Sequence, residues 1–427
     1  DVYKRQAEGK AFLGNPTIAN SAFGKSLKVN LQKAKFIVAD NFSKGGNNLK
    51  AAKSFEAFAA SNPGSSQAHS ALFNAAVNYE KAGSVFDAVR LYKKVIAKPG
   101  KKANLQLKQD ARNSLANTYK NMGQLKEAAI YYEAYGRNSN GSKSINALFN
   151  AAILWDALNA YPQAFKAYNL YASKDKKKNK GDQEAAWAKA EMYKRRKLYS
   201  KAIYQYDKFI KLNSPDLERM IKAHFTIADF YTNLRSTSKA KKWYEKVIRI
   251  VNNTGRGRKI GAKYAAQSQY QLSSKYLREM RSVRLGVTEG SITKGLNKMK
   301  SLQKSLIKDM AKVIKYDYGP SVVAALSAEA ESYEIIGNTF KNIPIPREYA
   351  KGKVATQFKE MANQQKSEFI NKAIGSYRTA FNKGISLKAY GPEMLSSAQA
   401  LYRLDPNGFK NAGEINDVGE IPDMMGI

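Results

Sequence analysis

Small and aromatic side chains recur three or four residues apart through the first half of the chain. Ala88, Tyr92 and Val95 form one such group, and Ala128 and Tyr132 begin another. Because an α-helix turns once in about 3.6 residues, these spacings place the side chains of each group on one helix face. A short polar turn separates each of these helices from a preceding helix with a similar pattern. The pattern therefore predicts pairs of helices that pack through small and aromatic residues.

The predicted helix pairs form a repeat. Alanines at the same position of the second helix lie 36 to 40 residues apart, and they are Ala88, Ala128, Ala164, Ala202 and Ala240. An earlier copy fits the same frame through Ala51 and Phe55. Repeats of this length cannot each bury an apolar face alone, so successive units must stack on one another.

These residues resemble the tetratricopeptide repeat (TPR) family, whose unit is a helix–turn–helix of about 34 residues. The resemblance covers residues 32–253. It implies an all-α fold: a right-handed α-solenoid of TPR-like helix-turn-helix repeats, with longer C-terminal helices capping the array. The extra residues of each unit are expected in loops between units, at 98–102 and 174–180. The closing proline of the family pattern is offset at Pro99 and Pro215 and missing after Tyr135.

Beyond Gly261 the predicted helices lengthen. Apolar residues spaced three and four apart from Ile292 to Val313 predict an amphipathic helix. Further helices are predicted at 321–340, 354–381 and 392–404, and Pro344 and Pro346 end the first of these three. The predicted divisions are an N-terminal fragment (1–31), the repeat array (32–253), continued helical repeats with a proline-containing insert (254–406) and a flexible acidic tail (407–427).

The second half also resembles large envelope-associated bacterial TPR proteins of the gliding-motility type. Ser332-Tyr333, the tract 343–346 and the run 401–406 carry this resemblance. It implies that the protein is located in the bacterial periplasm or cell envelope, with a cytoplasmic location as the alternative. The first six residues resemble translated adapter sequence, so the natural N-terminus and any signal peptide or lipid anchor are expected to be missing.

The chain is strongly basic, with 72 Lys and Arg against 35 Asp and Glu, a net charge of +37. Such a charge attracts nucleic acid, anionic lipid or acidic polymers at low salt. A solvated cationic surface without a selected ligand explains the same composition. The absence of cysteine excludes disulfides and cysteine-based zinc sites. No apolar run approaches the ~18 residues that a membrane-spanning helix needs.

No constellation of catalytic residues is visible. His69 and His224 begin first helices, which is typical of surface or packing residues. The glycine-bearing stretches 43–47 and 252–258 follow no strand, so they are interpreted as turns and not as phosphate-binding loops. We therefore expect no enzymatic activity, no cofactor and no metal.

The TPR resemblance places a partner-binding groove on the face lined by first helices. In this register the inward row consists of Phe73, Val77, Asn113, Asn117, Phe149, Ile153, Trp187, Glu191, Phe225 and Asp229. Rings supply contact area and amides pair with an extended backbone, although the same rings are equally suited to packing against neighbouring helices. A basic flank consists of Lys194, Arg195, Arg196, Lys241 and Lys242. It suits acidic segments of a partner or, alternatively, forms an ordinary solvated surface.

The sequence thus predicts a non-enzymatic scaffold that binds a protein or peptide partner on the concave face of the solenoid. The alternative is a polyanion-binding protein that uses its cationic surface for acidic polysaccharide, anionic lipid or nucleic acid. Salt separates the two hypotheses, because purely electrostatic binding weakens steeply as ionic strength rises. The oligomeric state stays open.

Overall fold

The computed structural model describes residues 2–98, 104–175, 180–212, 216–255 and 257–409. These residues fold into stacked α-helices, which confirms the predicted all-α repeat fold. The chain forms two compact units, Asp1–Met192 and Tyr193–Ile427. Parts of the predicted inter-unit loops (99–103 and 176–179), Pro215 and most of the predicted acidic tail (410–427) lie outside the described residues.

The helices follow one another along each unit with short connections. The first unit contains α1 (Val2–Leu13), α2 (Pro16–Asn20), α3 (Ala22–Lys44), α4 (Asn48–Ser61), α5 (Ala68–Lys81), α6 (Val85–Ala97), α7 (Leu105–Asn121), α8 (Leu125–Asn138), α9 (Ser142–Ala157), α10 (Tyr161–Lys174) and most of α11 (Lys180–Arg195). The second contains α12 (Tyr199–Lys211), α13 (Leu217–Asn233), α14 (Thr237–Asn253), α15 (Gly257–Ser273), α16 (Lys275–Ser282), α17 (Glu289–Ile314), α18 (Gly319–Lys341), α19 (Gly352–Ser386) and α20 (Pro392–Leu404).

Alanines bring the paired helices of the first unit close together. Each helix from α3 to α9 packs on the next one along the chain. Ala75, Ala76 and Ala88 are fully buried where α5 meets α6, and the ring of Tyr92 fills the space beside them. The side chains that the spacing placed on one face therefore form the core of the unit.

In the turn that joins the two helices of each repeat from α5–α6 to α13–α14, one residue adopts a left-handed backbone conformation. Gly83 and Gly123 have φ values of 80° and 72°, and the equivalent Asn159, Lys197 and Arg235 have values of 57°, 55° and 56°. The residue after each one donates its backbone N–H to the carbonyl five residues back, which closes the end of the first helix. For lysine and arginine this conformation costs roughly 1–2 kcal/mol, whereas asparagine tolerates it, so Lys197 and Arg235 are the strained residues of these five turns.

The second unit starts with regular pairs and ends with longer helices. The predicted helices 321–340, 354–381 and 392–404 are observed as α18, α19 and α20, and Pro344 and Pro346 follow the end of α18. α19 continues five residues beyond its predicted end, and within this extension Gly384 lies against Met394, where a larger side chain would collide. The predicted stripe from Ile292 to Val313 lies on α17 and contributes to the core.

The boundary between the two compact units, at residues 192 and 193, lies inside α11. α14 and α15 pack on one another on either side of residues 253 and 254, where continued helical repeats with longer helices are predicted to begin. The sequence divisions at residues 32, 254 and 407 stay predictions.

Candidate partner-binding site

The ten residues of the predicted inward row lie two to a helix, four residues apart, on α5, α7, α9, α11 and α13. Phe225 and Asp229 belong to the second unit, and the others belong to the first. Asn117 and Ile153 are exposed, and the other members of the row are half-buried. The first-helix face therefore presents some of these side chains to solvent and uses others inside the fold.

Three rings of the row pack against tyrosines of neighbouring helices. The ring centroid of Phe73 lies 5.9 Å from that of Tyr92, and Phe149 lies 5.1 Å from Tyr171. The ring of Phe225 lies 5.4 Å from Tyr264 on the following first helix. Such contacts are those expected if the rings pack against neighbouring helices. The rings therefore contribute to folding stability as well as to the surface of the row.

Polar members of the row accept hydrogen bonds from second-helix tyrosines. The hydroxyl of Tyr132 donates to Asn117 Oδ1 at 2.5 Å, and that of Tyr244 donates to Asp229 Oδ1 at 2.6 Å. Burial raises the pKa of Asp229, and the bond from Tyr244 opposes this rise. The tyrosines thus fix the direction of the polar groups on the first-helix face.

In the repeat formed by α5 and α6, the second-helix tyrosine donates to Glu80 and not to a residue of the inward row. Val77 offers no acceptor, and Tyr92 donates to Glu80 Oε2 at 2.9 Å instead. The hydroxyl of Thr118, on the next first helix, donates to Glu80 Oε1 at 2.8 Å. Glu80 therefore links two successive repeats, a role that sequence reasoning missed because no spacing rule joins residues 80, 92 and 118.

The predicted basic flank lies in the second unit on two different helices. Lys194 and Arg195 are at the end of α11 and Arg196 follows them, with Lys194 half-buried and both arginines exposed. Lys241 and Lys242 are exposed on α14, a second helix, and Lys241 Nζ lies 3.8 Å from Glu245 Oε1. The two lysines therefore belong to the second-helix side of the unit and not to the first-helix layer.

First helices of the second unit form a continuous layer, because α13 contacts α15, α15 contacts α18 and α18 contacts α20. A cleft of about 650 Å³ opens between α15, α18 and α20. Its charged and amide side chains are Arg281, Glu331, Glu334, Asn338, Glu393, Gln399 and Arg403. Like the predicted groove, the cleft lies on the first-helix face, but residues further along the chain form it.

Glu334 organises the charges of this cleft. It accepts a hydrogen bond from Tyr377 at 3.1 Å and pairs with Arg403 at 2.8 Å, while only 12% of its side chain is exposed. Burial and the neighbouring Glu334 raise the pKa of Tyr377. Arg281 forms a second ion pair with Glu331 at the rim. The cleft thus offers carboxylates, guanidinium groups and amides together, which suits the mixed polarity of a peptide.

The sequence contained no direct signal for this cleft. Glu331 and Glu334 are neighbours on one helix face, but their partners Arg281, Tyr377 and Arg403 are distant in the sequence and come from three other helices.

Both histidines are packing residues. His69 is buried with Nε2 2.9 Å from the carbonyl oxygen of Val95, and His224 is buried beside Trp243. Burial lowers the pKa of His224 to about 4, with a smaller contribution from Lys246. The described part of the chain contains no cluster of three or more acidic or histidine side chains that suits a metal ion. In the same residues, no helix combines the length and apolar character needed to cross a membrane.

Comparison with known families identifies the repeat. Tetratricopeptide repeat models match residues 70–100, 109–135 and 221–253, which are the pairs α5–α6, most of α7–α8 and α13–α14. The chain therefore contains tetratricopeptide repeats, which confirms the family resemblance seen in its sequence. No curated protein matches the chain.

Several solved structures are similar to the chain. A tetratricopeptide repeat protein from Parabacteroides merdae is 16% identical, with 80% of this chain and 100% of that chain covered and a TM-score of 0.31. The C-terminal part of a TPR repeat-containing protein from Cytophaga hutchinsonii is 16% identical, with 62% and 95% covered and a TM-score of 0.33. The TPR2AB domain of yeast Sti1 in complex with pHSP90 is 15% identical, with 71% and 98% covered and a TM-score of 0.31.

Proposed function

We propose, from the tetratricopeptide repeats at residues 70–100, 109–135 and 221–253, that this chain is a non-enzymatic scaffold that holds a partner polypeptide on its first-helix face. The observation that carries the proposal is the cleft between α15, α18 and α20, with its mixture of acidic, basic and amide groups. An extended peptide has backbone donors and acceptors along its length, and such a lining pairs with both. In the first unit, the first-helix residues Asn117 and Ile153 of the inward row are also exposed.

The mixed charge of the cleft favours a polypeptide over a polyanion as its occupant. Glu331 and Glu334 lie among the arginines of the cleft and pair with them. A continuous polyphosphate or acidic polysaccharide would bring like charges against these carboxylates. A peptide that carries both signs of charge, or none, avoids this repulsion.

Site-specific photo-crosslinking tests the proposal. A photoreactive amino acid would replace Asn338, which is exposed in the cleft, and a control would carry it at Lys359, which is exposed on α19. We expect a discrete protein to be crosslinked in cells from position 338 and not from position 359. The same complex, isolated without crosslinking, should persist between about 50 and 300 mM salt, over which purely electrostatic binding weakens steeply. Crosslinking to nucleic acid or acidic polymer alone, removed by salt, would overturn the scaffold in favour of a polyanion-binding protein.

We further propose that the scaffold works in the bacterial cell envelope. The support is the resemblance of the second half to envelope-associated TPR proteins, carried by Ser332-Tyr333, the tract 343–346 and the run 401–406. Cell fractionation of the natural host tests this placement. Recovery of the protein with envelope or periplasmic markers supports the proposal, whereas recovery with cytoplasmic enzymes alone overturns it.

A further inference from the structure

A second concave surface lies on the other side of the second unit, between the second helices. Two adjoining cavities of about 890 and 650 Å³ share Ile248 and Gln269, and together they form one groove. α14 and α17 form its sides and α15 its floor. Among the described residues α14 and α17 have at most marginal backbone contact, which leaves the groove open between them.

This groove is strongly cationic, and we call it the cationic groove. Its basic side chains are Lys241, Arg249, Lys275, Arg278, Lys312 and Lys315. Against these six it contains two carboxylates, Glu245 and Asp309, which pair with Lys241 and Lys312. Within the described residues, Arg249 and Lys315 have no ion-pair partner. A groove with this imbalance attracts an acidic ligand.

The lining of the groove suits an acidic polypeptide segment in particular. Ile248 and Leu272 add half-buried apolar surface, and Gln269 and Gln271 add amides. A continuous polyphosphate would meet the carboxylates of Glu245 and Asp309. A peptide whose acidic residues are separated by apolar ones can place charge against the lysines and apolar side chains against Ile248.

The C-terminal segment of this chain has that composition. Residues 411–427 contain four carboxylates and no basic residue. Glu414, Asp417, Glu420 and Asp423 recur at every third position, and an apolar residue follows each of them.

The segment begins within reach of the groove. The ring of Phe409 lies 5.1 Å from that of Phe381, which packs in one cluster with Val323 near the start of α18. Lys315, at the edge of the groove, precedes Val323 by eight residues, a path of at most about 28 Å even when extended. The contacts from Val323 through Phe381 to Phe409 add to this distance. The fourteen residues from Lys410 to Asp423 can span up to about 49 Å when extended, so the acidic positions near the end of the segment can meet Lys315.

We propose that the acidic segment 410–427 docks in the cationic groove of its own chain. The segment occupies the groove as an intramolecular ligand, and an acidic partner that binds there has to displace it. This inference concerns the second-helix side of the unit and is independent of whether the first-helix face binds a partner.

A fluorescent synthetic peptide of residues 410–427 tests the proposal by anisotropy. The protein would be the full chain in two forms: wild type, and a tail-neutral variant that carries Glu414→Gln, Asp417→Asn, Glu420→Gln and Asp423→Asn. An attached segment acts at an effective concentration of order mM, so it should exclude the free peptide from wild type. We expect the peptide to bind the tail-neutral variant at least about tenfold more tightly than wild type. Equal binding to both forms would overturn the proposal.

Charge reversal locates the site. In the tail-neutral background, Arg249→Glu with Lys315→Glu should abolish peptide binding, because both cations are exposed and lack an ion-pair partner among the described residues. The matched control is Lys120→Glu with Lys126→Glu, which makes the same charge change on exposed residues of the first unit. Circular dichroism would establish that each variant is folded. Equal weakening by both pairs would show non-specific attraction and overturn the site.

Two further outcomes would also contradict the proposal. Tighter binding of a single-stranded oligonucleotide than of the peptide, lost with Arg249→Glu and Lys315→Glu, would assign the groove to nucleic acid. A wild-type mass that rises with concentration in light scattering, while the tail-neutral variant stays monomeric, would place the segment in the groove of a second copy.

Discussion

Tyr244 donates a hydrogen bond of 2.6 Å to Asp229, fifteen residues earlier on the paired helix. Tyr132 makes the equivalent bond to Asn117 across the same fifteen residues. In both repeats a second-helix tyrosine is buried in the core while its hydroxyl reaches a polar residue of the first helix. The core of each repeat thereby orients the side chains of the face on which we propose that a partner binds.

Asp229→Asn should stabilise the second unit increasingly as pH rises. Burial raises the pKa of Asp229 above its unfolded value. A carboxyl of this kind favours folding most at low pH, and that contribution is lost as pH rises through the folded-state pKa. Asparagine keeps the acceptor for Tyr244 without the charge, as Asn117 does for Tyr132. Urea unfolding of both proteins between about pH 4 and pH 7 checks this, and a stability difference that does not change with pH would contradict it.

His224 should make the second unit sensitive to mild acid. Burial, with help from Lys246, lowers the pKa of His224 to about 4. Its stabilising contribution is complete above the unfolded pKa of about 6.5 and is lost as pH falls from there towards 4. The loss approaches about 3 kcal/mol, since one pKa unit corresponds to about 1.4 kcal/mol.

Two variants test this acid sensitivity in urea unfolding at several pH values. His224→Gln should remove the additional loss below about pH 6.5. Lys246→Met should reduce the loss, because the pKa of His224 then lies closer to its unfolded value. Superimposable pH profiles for wild type and His224→Gln would show that His224 does not titrate as proposed.

Lys174 should stabilise the first unit more than its equivalent, Lys98. Lys174 Nζ donates to the carbonyl oxygens of Gly136, Arg137 and Ser139 at 2.6, 3.1 and 2.9 Å, at the C-terminal end of α8. Lys98 Nζ, in the same position two repeats earlier, reaches only the carbonyl of Pro63 at 3.4 Å. A cation at a helix C-terminus contributes up to about 2 kcal/mol.

Thermal unfolding of Lys174→Met and Lys98→Met measures this difference, because both changes remove the charge and keep an apolar side chain of similar length. We expect Lys174→Met to cost about 1–2 kcal/mol and Lys98→Met less than about 0.5 kcal/mol. Equal losses would mean that the extra bonds of Lys174 add nothing.

The sequence predicted most of the fold because the repeat is encoded locally. The spacing of Ala88 and Tyr92 fixes a helix face, and Gly83 marks the preceding turn. The left-handed conformations of Lys197 and Arg235 were not visible, because neither residue type favours them and only the packing of the paired helices imposes them. The cleft around Glu334 was not visible either, since it depends on where three distant helices place their side chains.

Glycine at a strained turn should stabilise the fold, and loss of glycine should destabilise it. Arg235 occupies the left-handed position with φ of 56°, where Gly123 stands in another repeat with φ of 72°. Arg235→Gly should raise the free energy of unfolding by up to about 1 kcal/mol, and Gly123→Ala should lower it by about 1 kcal/mol. No atom lies within contact distance of a side chain added at Gly123, so backbone strain alone would account for the loss. Differential scanning calorimetry measures the stability of both variants. A lower stability of Arg235→Gly than of wild type would mean that contacts of the arginine side chain stabilise the fold by more than the backbone strain destabilises it.

Phe149 and Ile153 should separate stability from partner binding on the first-helix face. The ring of Phe149 packs against Tyr168 and Tyr171, so Phe149→Ala should cost about 2–4 kcal/mol of folding stability. Ile153, one helical turn later, is 44% exposed, so Ile153→Ser should change stability by less than about 0.5 kcal/mol. If the inward row contacts the partner, Ile153→Ser should nevertheless reduce the yield of the complex crosslinked from position 338. An unchanged yield with Ile153→Ser would mean that the inward row does not contact the partner and that the binding surface is confined to the cleft of the second unit. A loss of yield with Phe149→Ala alone would not contradict this conclusion, because partial unfolding of that variant would explain the loss.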